Sequence, residues 1–142
     1  MTESDRETAD RLVRDWRWNN RLLVVCSVRD SDLARQASLV RPWETDWNDR
    51  QMRLVLLTAD GGLVVDRFVE GVADGERLSA GVKSILVDRY RMDPADPGIV
   101  AALVGKDGGV KERWAEVVEP SVIFDLVDAM PMRMREVRES QE

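Results

Sequence analysis

The chain has 142 residues, 44% hydrophobic and 34% charged, with a net charge of −6. That length suits one domain able to bury roughly two-thirds of its unfolded surface, and the acidic balance argues against a general nucleic-acid or anionic-membrane binder, which needs clustered basic surface. There is no histidine and a single cysteine, Cys26. The usual general base and commonest metal ligand are therefore missing, and an internal disulfide, a Cys-x-x-Cys dithiol and a Cys-rich zinc site are all excluded. No metal and no cofactor is expected.

The opening Met1-Thr2-Glu3-Ser4-Asp5-Arg6-Glu7 is polar and acidic where a secretory leader is basic and then apolar. No apolar run approaches the roughly 20 residues that span a bilayer. A cytoplasmic chain with no membrane partner is expected, organised as a charged extension over 1–15, one domain over 16–136 and a charged tail over 137–142.

Leu12 and Trp16 keep helical spacing and predict a short leading helix that Asn19-Asn20 stops. Leu22 to Val28 is a continuous, Val-rich apolar run, the pattern of a strand buried on both faces. Ser31 or Asp32 is placed to cap the following helix. There Leu33, Ala37, Val40, Trp43 and Trp47 form one apolar stripe, which assigns both tryptophans to the core, and Pro42 should kink the helix or split it after Arg41. Trp16 and Trp18 cannot share a helix face, so one of the two is expected outside.

Arg53 to Thr58 predicts a second buried strand, Asp60-Gly61-Gly62 a turn, and Leu63 to Val69 its hairpin partner. From Asp74 to about Met92, Leu78, Val82, Ile85, Leu86 and Tyr90 keep helical spacing, with Asp74 as the candidate cap. A Pro- and Gly-rich loop over 93–98 leads to the third buried strand, Ile99 to Val104. Lys106-Asp107-Gly108-Gly109 turns the chain into a charged edge strand over 110–118. Pro120 opens the last helix, with Ile123, Leu126, Val127 and Met130 facing the core, and Pro131 breaks or bends it.

The order is β-α-β-(β)-α-β-β-α, an α/β domain with a mixed central sheet flanked by helices. Its first strands pair in parallel and its final hairpin adds antiparallel strands, which matches a thioredoxin-like arrangement.

Three segments carry a resemblance. They are Trp18-Asn19-Asn20-Arg21-Leu22-Leu23-Val24-Val25, Gly105-Lys106-Asp107-Gly108-Gly109-Val110-Lys111, and Asp128-Ala129-Met130-Pro131-Met132-Arg133 followed by Glu136. They are similar to the "W-x-N-R-L-L-V", "G-K-D-G-G-x-K" and "D-x-M-P-M-R-x-x-E" motifs of the domain-of-unknown-function family numbered 4174. That resemblance covers most of 16–136. It implies a peroxiredoxin-like protein of thioredoxin-like fold, without naming a reaction.

A thioredoxin-type enzyme keeps its nucleophilic cysteine at the start of the helix after the first strand, where the helix end and nearby cations lower the thiol pKa. Here that stretch is Arg29 to Ala37 and holds no cysteine, while Cys26 lies earlier, inside the strand. A binding or interaction module is therefore expected, with a peroxiredoxin-like thiol oxidoreductase using Cys26 as the alternative.

Binding candidates are Lys106, Asp107, Lys111, Asp128, Arg133 and Pro97, the last at about the position of the cis-proline in thioredoxin-like proteins. Lys106 and Lys111 are read as solvated charges flanking the turn. Asp128, Arg133, Glu136 and Arg138 read as an intrahelical ion-pair series. The sharper expectation is that Asp128 and Arg133 lock the post-proline segment against the sheet edge, with Arg133 a forked donor to a carboxylate or anion. The partner expected is a protein or a small anionic ligand, with a homodimer through the edge strand as a further option.

Overall fold

The computed structural model describes residues 2–92 and 98–141. In chain order its elements are α1 (Glu3–Trp16), β1 (Arg21–Ser27), α2 (Asp30–Val40), a 3₁₀ turn (Arg41–Trp43), α3 (Glu44–Asp49), β2 (Met52–Leu57), β3 (Gly62–Val69), β4 (Val72–Leu78), α4 (Ala80–Tyr90), β5 (Ile99–Val104), β6 (Val110–Trp114), α5 (Pro120–Asp128) and α6 (Pro131–Gln141). The strands form one six-stranded sheet in the order β4-β3-β2-β1-β5-β6.

The three continuous apolar runs take the middle of that sheet. β1 runs parallel to β2, reached through α2 and α3, and antiparallel to β5. Hairpins then add β3 and β4 beyond β2, and β6 beyond β5, all antiparallel. Every residue of β1 is buried, as expected of a strand covered on both faces.

Side chains alternate across a strand, so each strand feeds two cores. On one face Leu22, Val24 and Cys26 of β1 pack with Ala9, Leu12 and Trp16 of α1 and Val82, Leu86 and Tyr90 of α4. On the other, Leu23 and Val25 pack with Leu33 and Val40 of α2, Trp47 of α3 and Ile123 and Val127 of α5.

Several expectations are corrected. The first fifteen residues are no appendage: α1 starts on a Thr2–Asp5 capping box, and Ala9, Leu12 and Trp16 of its narrow apolar face are buried. The Ser79 hydroxyl, which caps α4, donates to Asp5 Oδ1 at 2.8 Å and so ties the starts of the two helices together. Residues 72–78 are a strand, and the helix begins after Ser79 rather than at Asp74. The turn responsible is Glu70-Gly71, whose φ values of 50° and 81° suit a two-residue hairpin.

Pro42 does split the helix, but the 3₁₀ turn it opens shifts the phase of the stripe. Trp47 stays buried while Trp43 is 50% exposed, its edge against Phe124. Trp16 is buried and Trp18 exposed. α2 has no side-chain cap: it begins at Asp30 with Arg29 in the cap position, so Ser31 and Asp32 fall inside its first turn, and the Asp32 carboxylate bonds to Ser27 and Arg29. β6 is shorter than expected: the loop after it is held by buried Gln36, which donates to the Val118 carbonyl at 2.9 Å and accepts from its N–H at 2.8 Å. Residues 137–141 of the charged tail are the end of α6.

Candidate functional site

The three motif segments meet at one end of the sheet, where β1 and β2 begin and β5 ends. Arg21, the first residue of β1, is 1% exposed, and its guanidinium meets Glu136 of α6 with two bonds of 3.2 Å. A third bond of 3.0 Å goes to the Arg50 carbonyl. Lys106, just past β5, is 7% exposed and donates to both Glu136 and Gln51. The Trp18 N–H donates to the Lys106 carbonyl at 2.6 Å, docking the loop before β1 on the hairpin.

Arg133, also buried, forks onto Asp49, to its carbonyl at 2.9 Å and its Oδ2 at 2.6 Å. Its NH1 lies 3.6 Å from Glu136 and its Nε 3.7 Å from Asp128. That Nε is buried without a hydrogen-bond acceptor among the described residues, so its contact with Asp128 is one of charge only. Asp128, which closes α5, instead accepts two bonds of 2.9 Å from Arg50.

Four cations (Arg21, Arg50, Lys106, Arg133) thus face three carboxylates (Asp49, Asp128, Glu136). The cations lie deeper: the Glu136, Asp128 and Asp49 side chains are 24%, 47% and 66% exposed. Burial opposes ionisation of Glu136, but hydrogen bonds from Lys106 and Arg21, and their charges, outweigh it and hold the carboxyl below its ordinary value. Hydrogen bonding from Arg50 holds Asp128 down, again against burial, and in return raises the Arg50 pKa. Removing one member of such a group leaves a buried charge uncompensated, which costs about 3–5 kcal/mol.

Beside this network lies a cavity of about 180 Å³ between the hairpin and the start of α6. In the hairpin, Gly108 has φ 87°, a value that favours glycine. Asp107 accepts from the Gly109 N–H at 2.9 Å and from Lys111 Nζ at 2.8 Å. The Lys111 bond is the main reason its carboxyl lies below the ordinary value.

Lys106, Asp128 and Arg133 are therefore joined through Glu136 and Arg133. Asp107 and Lys111 sit alongside, paired with each other. Pro97 lies outside the described residues. Two readings are corrected. Lys106 is buried rather than solvated, because Glu136 and Gln51 supply acceptors under the hairpin. The intrahelical series holds only as the Arg133–Glu136 pair of α6, since Pro131 starts a new helix after Asp128 and Arg138 forms no ion pair among the described residues. The post-proline segment is locked, but to the end of α3 and the entry of β2 rather than to a sheet edge, and the carboxylate that Arg133 forks onto is the chain's own Asp49.

Arg21 and Glu136 stand in the motifs, yet neither is needed for a turn or an apolar contact. That surplus was the signal available for them. Nothing in the sequence marks Asp49, Arg50 or Gln51.

At the opposite end of β1, Cys26 is 2% exposed, flanked by Leu57 of β2 and Val100 of β5. Its side chain belongs to the α1–α4 core, while α2 packs on the other face. The Ser27 hydroxyl donates to Asp32 Oδ2 at 2.8 Å and accepts from the Arg29 N–H at 3.1 Å, and Arg29 Nε reaches the same Asp32 oxygen at 2.9 Å. The Ser27 bond, then the Arg29 bond, lower the Asp32 pKa.

The fold and this constellation define an α/β domain with a mixed six-stranded sheet flanked by helices, closed at one end by a charged clasp. Among the described residues no helix is long and apolar enough to cross a membrane. The chain matches the family described as Domain of unknown function (DUF4174) over residues 12–136, and it belongs to that family. The match starts within α1. No solved structure matches the chain.

Proposed function

We propose that this is a thioredoxin-like domain that has no redox thiol and works as a binding module. The strand order supports the fold: β1 and β2 pair in parallel, and the β5–β6 hairpin lies antiparallel beside β1, as in the arrangement expected of such a domain. The β3–β4 hairpin is an addition beyond β2.

The observation that carries the functional reading is the position of Cys26. A reactive thiol needs exposure and an electropositive surrounding that favours the thiolate. Cys26 is buried in the central strand on the face away from α2, and the first turn of α2 carries Asp30 and Asp32 instead. A buried cysteine in apolar company acts as a small hydrophobe.

The test is reduction of insulin disulfides and turnover of peroxide with a thiol reductant, alongside alkylation of the native protein. Neither activity is expected above background, and Cys26 should react with iodoacetamide only on unfolding. Turnover that disappears in Cys26→Ser would establish the oxidoreductase instead.

A further inference from the structure

We propose that the cavity between the hairpin and the start of α6 binds a small carboxylate carried on a compact apolar body. The inference rests on the binding-module reading and names its ligand class. At about 180 Å³ the cavity is comparable with apolar cavities of about 150 Å³ that admit benzene. It has room for one ring or a short branched chain.

Its lining divides in two. Met130, Pro131 and Met132 give an apolar wall, in which thioether side chains can adjust to the shape of a guest. The facing wall carries Arg21, Lys106 and Lys111 against one carboxylate, Asp107. Three cations against Asp107 and the Glu136 that Arg21 and Lys106 hold leave a net positive charge, in a chain of net charge −6.

Each cation has a different part. Arg21 and Lys106 are almost fully buried and already hold Glu136, so they form a positive floor whose field is less screened than in water. Lys111 is the accessible one, its side chain 40% exposed. An ammonium has three N–H donors, and Asp107 takes one of them.

Gly105 lets Lys111 fold back across the hairpin: a Cβ there would lie 2.5 Å from Lys111 Cε. α6 also begins at this wall. Pro131 has no N–H, and the N–H groups of Met132 and Arg133 have no acceptor among the described residues, so the helix start adds partial positive charge. An anion at the mouth, with its apolar part against the methionines, satisfies both walls.

Methyl NMR of protein carrying ¹³C-methyl methionine reads the site directly. Met130 and Met132 border the cavity, while Met52 and Met92 are buried in the cores and Met134 is exposed. Titration with benzoate should shift the Met130 and Met132 methyls saturably and leave Met52 and Met92 in place. Benzyl alcohol, of similar size but uncharged, should bind about tenfold more weakly, the worth of one charge-assisted hydrogen bond.

Lys111→Gln should weaken benzoate by a similar factor without moving the thermal midpoint, because its pair with Asp107 is exposed. A short peptide ending in leucine, offered as free acid and as amide, tells a chain terminus from a free small acid as the source of the carboxylate. The proposal is overturned if neither acid moves the two methyls, if benzyl alcohol matches benzoate, or if Lys111→Gln binds as well as the parent. None of these results bears on the thiol assays, so failure of this site and failure of the non-redox reading are separable.

Discussion

The two ends of β1 use polar groups in opposite ways. At its start, Arg21 is buried and joined to a residue 115 positions away, within a network that draws on α3, the hairpin and α6. At its finish, Ser27, Arg29 and Asp32 bond to one another within six residues. The first arrangement holds distant segments together. The second only settles the entry to α2. The three motif segments gather at the start of β1, the end away from Cys26.

Substitutions can separate the two ends. Glu136→Ala should have the largest effect, about 3–5 kcal/mol of stability lost, because Arg21 and Lys106 would both stay buried with no carboxylate between them. Urea unfolding reads this, and a loss under about 1 kcal/mol would mean that the clasp contributes little.

Acid should act on the same end. The Glu136 and Asp128 carboxyls lie below their ordinary values, so their contribution is complete above about pH 5 and is lost progressively as pH falls through the ordinary and then the lowered folded values. Hydrogen exchange in α6 should quicken in that window before exchange in β1 does. Uniform loss of protection would remove the distinction.

At the other end of the strand, Gln36→Ala leaves both Val118 backbone groups without their partner. It should cost about 1–3 kcal/mol and loosen the loop after β6, seen as proteolysis over 115–119. Asp107→Asn, which weakens only the exposed pair with Lys111, should cost no more than about 0.5 kcal/mol and serves as the baseline in the same urea unfolding.

Much of the fold was legible. Three unbroken apolar runs gave the central strands, and Pro42, Pro120 and Pro131 each marked a helix boundary, because proline lacks the N–H and fixes φ. β4 was hidden because Leu78 falls one helical turn before Val82, and the Glu70-Gly71 turn is a weaker signal than Asn-Gly or Asp-Gly. The exposure of Trp43 was hidden because a 3₁₀ turn changes the angle between successive residues.

Of the candidate site, Lys106, Asp128 and Arg133 could be named from the motifs. Their burial could not be inferred, since lysine and arginine are solvated by default and only tertiary structure brings Glu136 beneath the hairpin. Gln51 and Asp49 carry no local pattern at all.

The Arg21–Glu136 pair has a consequence for synthesis. Chains emerge from the amino end at roughly 5–20 residues per second and a domain generally folds as a unit, while β1 belongs to the middle of the sheet. Its first residue is a cation whose carboxylate is made 115 positions later. Until α6 is available a chain must leave Arg21 hydrated or badly paired, so the start of the central strand cannot close. A chain truncated just before residue 131 should therefore be protease-sensitive around residues 19–21, and the chain that includes α6 should be protected there.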